Sequence, residues 1–486
     1  MPKPLARLVV FGSSAVVLVL EILAGRLMAP YVGVTLETFT GIIGVVLAGI
    51  AFGAWWGGWL ADRRPPAPLL GPLLMAAASA VLAAPILTDA VGPSMRAGGP
   101  LEIVVLTVAG FLAPSVLLSA VTPLVIKLRL QSLDETGSVV GTFSAIGTAG
   151  ALAGTFLTGF VLLASVPTRP LVIALGVVLA ITGAWLAVRT AVARATVVVL
   201  AVLILASGAA TASSKRPCGV ETRYFCAVVE VDPFRPSGRT LWLDTLRHSY
   251  VDLNDPTHLE FRYSRIVADL ITTLPPGPVD AAYVGGGGFT LPRYVAAVRP
   301  GSTADVFEID PELVTIAQQD LGLVLGDVIE VEIGDARLAL PARPSGRYDL
   351  VLGDAFGGLS VPWHLTTREF LEEIERVMAP GGLYVINLLD YPPLGFARAE
   401  VATFGAVFDE VAVLAPAAYV SGERGGNFVL VGGNDGLDWN AVENRIAARE
   451  GNEIVLTGDA AAEFAGDAAI LRDDFAPVDQ LISRPG

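Results

Sequence analysis

Four consecutive glycines, Gly285–Gly288, close a short apolar segment and lead into a helix-like stretch. Such a loop lets a nucleoside or a phosphate approach the backbone where a side chain would stand in the way. The fourth glycine breaks the dinucleotide-binding spacing, and no Lys-Ser/Thr pair follows to make a P-loop. About twenty residues on, a second apolar segment ends in Glu308-Ile-Asp310, where a carboxylate can accept both hydroxyls of a ribose. The next two segments end in Gly334-Asp335-Ala336 and Gly353-Asp354-Ala355. Any one of these acids could simply cap the helix that follows it. Together, at successive strand ends, they face the crevice in which open α/β sheets bind ligands. His248, Trp363 and His364 are candidates for a lid or for the acceptor side, and each could equally be a packed or loop residue.

Positioning these residues requires short buried strands alternating with helices. The strands are expected at Ala281–Val284, Ala304–Ile309, Ile329–Ile333, Asp349–Leu352, Leu383–Leu388, Glu410–Leu414 and Phe428–Val431. Helical stretches such as Pro311–Asp320 and Thr367–Met378 separate the earlier ones, which predicts an α/β fold with a parallel sheet. The close spacing of the last two strands predicts an antiparallel hairpin at the edge. Upstream, β-type segments at Tyr224–Val231 and Thr240–Leu243 flank Asp232-Pro-Phe-Arg-Pro-Ser-Gly238, and a helix is expected at about His258–Thr273.

The chain before this region is of a different kind. Of 486 residues, 53% are hydrophobic and 16% charged, and the mean hydropathy is +0.62. Met1–Ser214 holds 11 lysines and arginines against 7 acids, a net of +4, while Lys215–Gly486 holds 21 against 40, a net of −19. The first part reads as a multi-pass helical membrane bundle, because an apolar helix of about 20 residues spans a bilayer core. Seven spans are expected: Leu8–Ala29, Phe39–Leu60, Leu69–Thr88, Ile103–Ile126, Val139–Ala164, Leu171–Val188 and Thr196–Ala212. Gly147–Gly154 suits close helix packing in lipid. The acidic second part argues against nucleic acid as a partner.

Lys3, Arg7, Arg63, Arg64, Lys127, Arg129, Arg189 and Arg194 fall on one side of such a bundle, against Arg96 and Arg169 on the other. The positive-inside rule then makes the N-terminus cytoplasmic, and seven crossings put everything after Ala212 outside the cytoplasm. Cys218 and Cys226 are the only cysteines, and they read as a disulfide in an oxidising compartment or as two buried thiols. Glu21 and Arg26 are ionisable groups within the first span, each either functional or a structural polar contact. The expected domains are 1–214 transmembrane, 215–254 a small β region with the cysteine pair, 255–434 Rossmann-like, and 435–486 a C-terminal extension.

Residues 221–391 resemble the spermidine synthase (polyamine aminopropyltransferase) family, a branch of the class I methyltransferase fold. The whole chain is similar to bacterial membrane-fused spermidine-synthase-like proteins. The resemblance implies a glycine loop at Gly285, Gly286 and Gly287, a ribose-binding Glu308, an adenine-side Asp335 beside Ala336, and a catalytic Asp354. Leu243-Asp244 matches the Leu-Asp that precedes the family's substrate loop. His248 falls where the family usually has Gln, and Tyr263 where it has a site Tyr. The implied co-substrate is S-adenosylmethionine or its decarboxylated form, with methylthioadenosine as product and no metal.

Two departures bear on the substrate. Family members usually carry Asp at the fourth place of the glycine loop, for the ammonium of the aminopropyl group, and this chain has Gly288. They usually carry Asp-Ser-Ser-Asp after the fourth strand, and here the run is Asp354-Ala-Phe-Gly357. A buried ammonium without its carboxylate costs on the order of 3–5 kcal/mol, so the acceptor is not expected to be ordinary putrescine. Leu471-Arg-Asp-Asp474-Phe-Ala-Pro-Val-Asp479 either returns carboxylates to the site or forms a surface turn.

The expected protein is thus a membrane-anchored transferase whose partners are the lipid bilayer and a small adenosyl ligand, compatible with a homodimer. Its alternatives are a methyltransferase using S-adenosylmethionine, or a non-catalytic nucleoside- or polyamine-binding domain that gates the bundle. An extracytoplasmic site conflicts with the cytoplasmic origin of adenosyl sulfonium donors.

Overall fold

The computed structural model describes every residue except 97–98, 435–436 and 484–486. The chain divides into two compact units, Met1–Ala227 with Leu243–Thr245, and Val228–Trp242 with Leu246–Gly486.

The first unit has seven helices long and apolar enough to cross a membrane: Lys3–Val32, Leu36–Arg63, Ala67–Met95, Pro100–Arg129, Leu133–Ser165, Thr168–Arg189 and Arg194–Ser213. Each runs past the expected apolar stretch by a few residues, because the polar ends of such helices keep their backbone hydrogen bonds. The first and fifth helices pack through small residues: a Cβ on Gly150 or Gly154 would collide with the backbone of Phe11 or Ala15, the close approach that glycine permits. Outward-facing side chains are also apolar, among them Phe160, Ile181, Val199 and Leu205. A helix apolar on all sides has no face suited to water.

Polar groups gather where the helices end. Arg169 pairs with Asp89 and reaches Ser214, and the Tyr31 hydroxyl donates to Asp89 at 3.1 Å. Arg26, in the first helix, donates to the carbonyls of Thr222 and Arg223 and lies 3.7 Å from Glu221. Its long stem carries the guanidinium to the segment that follows the last long helix, so it is a tether at the end of the bundle. Glu221 also accepts from the Thr168 amide. Glu21 lies further along the same helix, partly buried. Cys218 and Cys226 form a disulfide in this segment, their Cα atoms 5.1 Å apart.

Twelve strands follow among the described residues. A small sheet has the order β1 (Val220–Glu221), β2 (Cys226–Val231), β3 (Gly238–Leu243), β4 (Leu246–Asp252). The large sheet is built from β5 (Asp280–Val284), β6 (Thr303–Glu308), β7 (Ile329–Ile333), β8 (Tyr348–Gly353), β9 (Met378–Asp390), β10 (Glu410–Pro416), β11 (Gly426–Gly433) and β12 (Glu453–Thr457). Its order is β12-β10-β11-β9-β8-β5-β6-β7. The strands from β9 to β7 are parallel, as the alternation of short strands with helices predicts. The β10–β11 hairpin forms, but it is not the edge: β11 pairs with β9, and β12 closes the sheet against β10. Sequence reading misses β12 because its side chains are mostly half-buried and its neighbourhood is polar. It misses β4 because Arg247, His248 and Ser249 interrupt the apolar pattern.

The helix expected near His258 starts at Arg262 and runs to Thr273, burying Ile266, Val267, Leu270 and Ile271 at helical spacing. Helices Pro311–Asp320 and Arg368–Val377 stand where expected, started by the N-caps Asp310 and Thr367.

Candidate active site

The parallel strands deliver their C-terminal ends to one rim of the sheet. At the end of β5 the chain turns through Gly285 (φ 98°) and Gly287 (φ 49°), a left-handed conformation that favours glycine. Glu308, at the end of adjacent β6, holds this loop. Its Oε2 accepts the amides of Gly286 at 2.8 Å and Gly287 at 3.1 Å, and its Oε1 accepts that of Asp310 at 2.9 Å. The side chain is buried. On the other side of β5 lies the end of β8, and a Cβ at Gly285 would lie 2.7 Å from the Asp354 carbonyl oxygen. The glycine loop is therefore wedged between Glu308 and Asp354.

Asp310 and Asp335 both stand at helix starts. Each caps the helix that follows, accepting the amides of Glu312 and Arg337 respectively. Asp335 keeps its second oxygen for His364, whose Nε2 lies 3.1 Å away, and Ala336 is buried at the start of that short helix. Trp363 meets the His364 ring edge-on at 5.7 Å and is half exposed. Arg337 donates to the His364 carbonyl and to Thr367 and pairs with Asp473. The segment after Leu471 thus fastens the loop that follows β8. Asp473 accepts from Arg337 and Thr367, Asp479 accepts from Ser360 at 2.7 Å, and Arg368 donates to the Leu471 carbonyl.

Asp354 is bound from two directions. The Tyr263 hydroxyl donates to Oδ2 and the Asn387 amide to Oδ1, both at 2.9 Å. Burial pushes the Asp354 carboxyl up to about 6 against the downward pull of these two bonds. Burial and the neighbouring carboxylate hold the Tyr263 phenol well above its ordinary range. Asn427 on β11 in turn donates to the Asn387 oxygen at 2.8 Å. Sequence reasoning did not name Asn387 or Asn427. The available signal was a polar amide in the otherwise apolar Leu383–Leu389 run, since a buried polar group needs a partner.

The two departures from the resembling family have different surroundings. Gly288 donates its amide to Ser249 Oγ at 3.0 Å, and a Cβ there would lie 2.6 Å from the Ser249 Cβ. His248 contacts the same hydroxyl at 3.1 Å, and burial pushes its imidazole down to about 4, so it is neutral at pH 7. At Gly357 a Cβ would have only the Ser360 carbonyl oxygen near it, at 3.9 Å. Asp244, in the first unit, accepts the Cys226 amide at 2.9 Å. Burial raises its carboxyl to about 6, opposed by that amide and by Arg26.

Known proteins share this fold. Over 54% of this chain and 99% of theirs, the coordinates match the crystal structure of a probable spermidine synthase from Corynebacterium glutamicum ATCC 13032, with a TM-score of 0.50 and 27% identity. The C-terminal part has the spermidine synthase fold. A polyamine aminopropyltransferase of Vibrio vulnificus is 34% identical over 137 residues, 28% of this chain and 45% of the relative. A human eEF1A lysine and N-terminal methyltransferase is 30% identical over 142 residues, 27% of this chain and 20% of the relative. The chain spans about half the length of the polyamine aminopropyltransferases it matches. No family model matches it.

Proposed function

We propose that the C-terminal part is a transferase that binds S-adenosylmethionine or its decarboxylated form and passes an alkyl group from the sulfonium to an acceptor other than ordinary putrescine. The observation that carries this is the glycine loop held between the Glu308 carboxylate and the end of β8, where Asp354 stands. Glu308 is the ribose partner. Asp335 and Ala336 are the adenine side, and Tyr263 and Asn387 orient Asp354. Asp354 takes the proton of the incoming nucleophile as the carbon leaves sulfur. A carboxyl raised towards neutrality suits that role, because a general base works best when its pKa approaches the operating pH. Incubation with each donor, followed by nucleoside analysis, tests the reading. Methylthioadenosine marks alkyl transfer, and its absence in Asp354→Asn ties the reaction to the base.

Methyl transfer is the second reading, favoured by Gly288. Ser249 occupies the space of a fourth-position carboxylate, so no carboxylate of that residue stands there for an aminopropyl ammonium. S-adenosylhomocysteine as product would decide for it.

The seven apolar helices serve as a membrane anchor in this account, with the N-terminus in the cytoplasm and the transferase outside it. Support comes from the loop charges and from the disulfide, which persists in oxidising compartments. A phosphatase reporter fused after Gly486, active only outside the cytoplasm, tests the orientation.

A further inference from the structure

Asn387 and Asn427 are diagonal neighbours across the β9–β11 ladder. Asn427 stands opposite Leu389 and Asn387 opposite Val429, so both side chains leave one face of the sheet, within each other's reach. A primary amide has one donor end and one acceptor end. The acceptor end of Asn387 is occupied by Asn427 Nδ2 at 2.8 Å, which leaves its NH2 for Asp354 Oδ1 at 2.9 Å. If Asn387 turned over, its oxygen would meet a carboxylate oxygen. Two acceptors tolerate that contact only when the carboxyl carries a proton.

We propose that Asn427 is a positioning residue: by fixing the amide orientation of Asn387 it keeps a donor against Asp354 and holds that carboxylate ionised, free to accept a proton from the nucleophile. The catalytic consequence rests on the reading of Asp354 as the base, whereas the charge of Asp354 does not. Tyr263 supports the same state from the other side, since a phenol that stays protonated remains a donor. Other titratable groups on the surrounding elements include Tyr283 on β5, Tyr348 on β8 and Tyr384 on β9, all protonated phenols, Asp390 at the far end of β9, and Glu308 on β6 and His248 on β4, which face the glycine loop. None of them supplies the donor that Asn387 gives.

The test is a double-mutant cycle on the full chain in nanodiscs, read by the infrared carboxyl band of Asp354 across a pH titration, with Asp354→Asn identifying the band. Asn427→Asp offers only acceptors and draws the Asn387 NH2 away from Asp354, so it is expected to raise the Asp354 midpoint by about one pH unit or more. In an Asn387→Leu background the same substitution is expected to move the midpoint by clearly less, only by the repulsion of the new carboxylate, because the element it acts through is gone. Equal shifts in both backgrounds would mean a direct charge effect and overturn the proposal, as would an unchanged midpoint in Asn427→Asp. Should Asn427→Asp fail to fold, Asn427→Leu runs the same cycle with a smaller rise expected in the first background alone. Calorimetry with methylthioadenosine separates the two levels: no binding would defeat the transferase reading, while the titration would still decide the role of Asn427.

Discussion

At Gly288 a β-carbon would be driven to 2.6 Å from the Ser249 Cβ, and at Gly357 it would meet nothing closer than a carbonyl oxygen at 3.9 Å. Both positions lack a carboxylate that the resembling family usually carries, yet one is sealed and the other is open. At the glycine loop, a serine and a neutral histidine of β4 lie in contact with Gly287 and Gly288, so the absence of a side chain at Gly288 is part of the packing. After β8 the turn Gly357–Ser360 is merely short of a side chain, its shape kept by the Gly357 amide on the Ser360 carbonyl and by Ser360 on Asp479. The lesson is that two identical substitutions in sequence, Asp by Gly, carry different constraints on what the site can take.

The largest effect is expected from Asp354→Asn, which should lower turnover about 10²–10⁴-fold while leaving methylthioadenosine affinity within a few-fold. Steady-state and binding measurements on one preparation check it. Next comes Gly288→Asp, whose overpacking against Ser249 should cost about 1–3 kcal/mol of stability. The companion change Ser249→Gly should recover most of that loss in denaturant unfolding. Gly357→Asp should be tolerated, with stability within about 0.5 kcal/mol of the parent, and should raise putrescine affinity roughly a hundredfold by supplying a charge partner for the ammonium. If Gly357→Asp is as damaging as Gly288→Asp, the distinction between sealed and open positions fails.

The smallest effect is in pH dependence, where the two sides oppose each other. Asp354 has a raised carboxyl, so the folded state binds the extra proton and stability falls as pH rises from about 4 to about 6. His248 has a lowered imidazole, so the unfolded state binds the extra proton and stability rises from about 4 to about 6.5. These two contributions oppose each other, while Asp244, also raised to about 6, adds to the fall. Relative to the parent, Asp354→Asn should shift the slope over this window towards a rise, and His248→Gln towards a fall, as thermal unfolding at successive pH values would show.

Much of the sheet was legible because parallel strands buried on both faces must be apolar runs, as in Ala281–Val284, and because the glycine loop, Glu308 and Asp354 fall at strand ends that those runs define. What was not legible depends on tertiary contact. Ser249 meets Gly288 across 39 residues, Asn427 reaches Asn387 across 40, and Arg26 is drawn to Thr222 across 196. No local pattern encodes such distances. The pairing order of β9, β11, β10 and β12 is hidden for the same reason, since alternation gives the existence of strands but not their neighbours.

The most direct measurement is calorimetric titration of the purified full chain with methylthioadenosine, beside Glu308→Ala. The account predicts saturable binding that Glu308→Ala weakens by about a hundredfold, as expected for loss of a charged hydrogen-bonding partner of the ribose. Absence of binding at millimolar ligand, or equal affinity in the two proteins, would contradict an adenosyl site between β5 and β6.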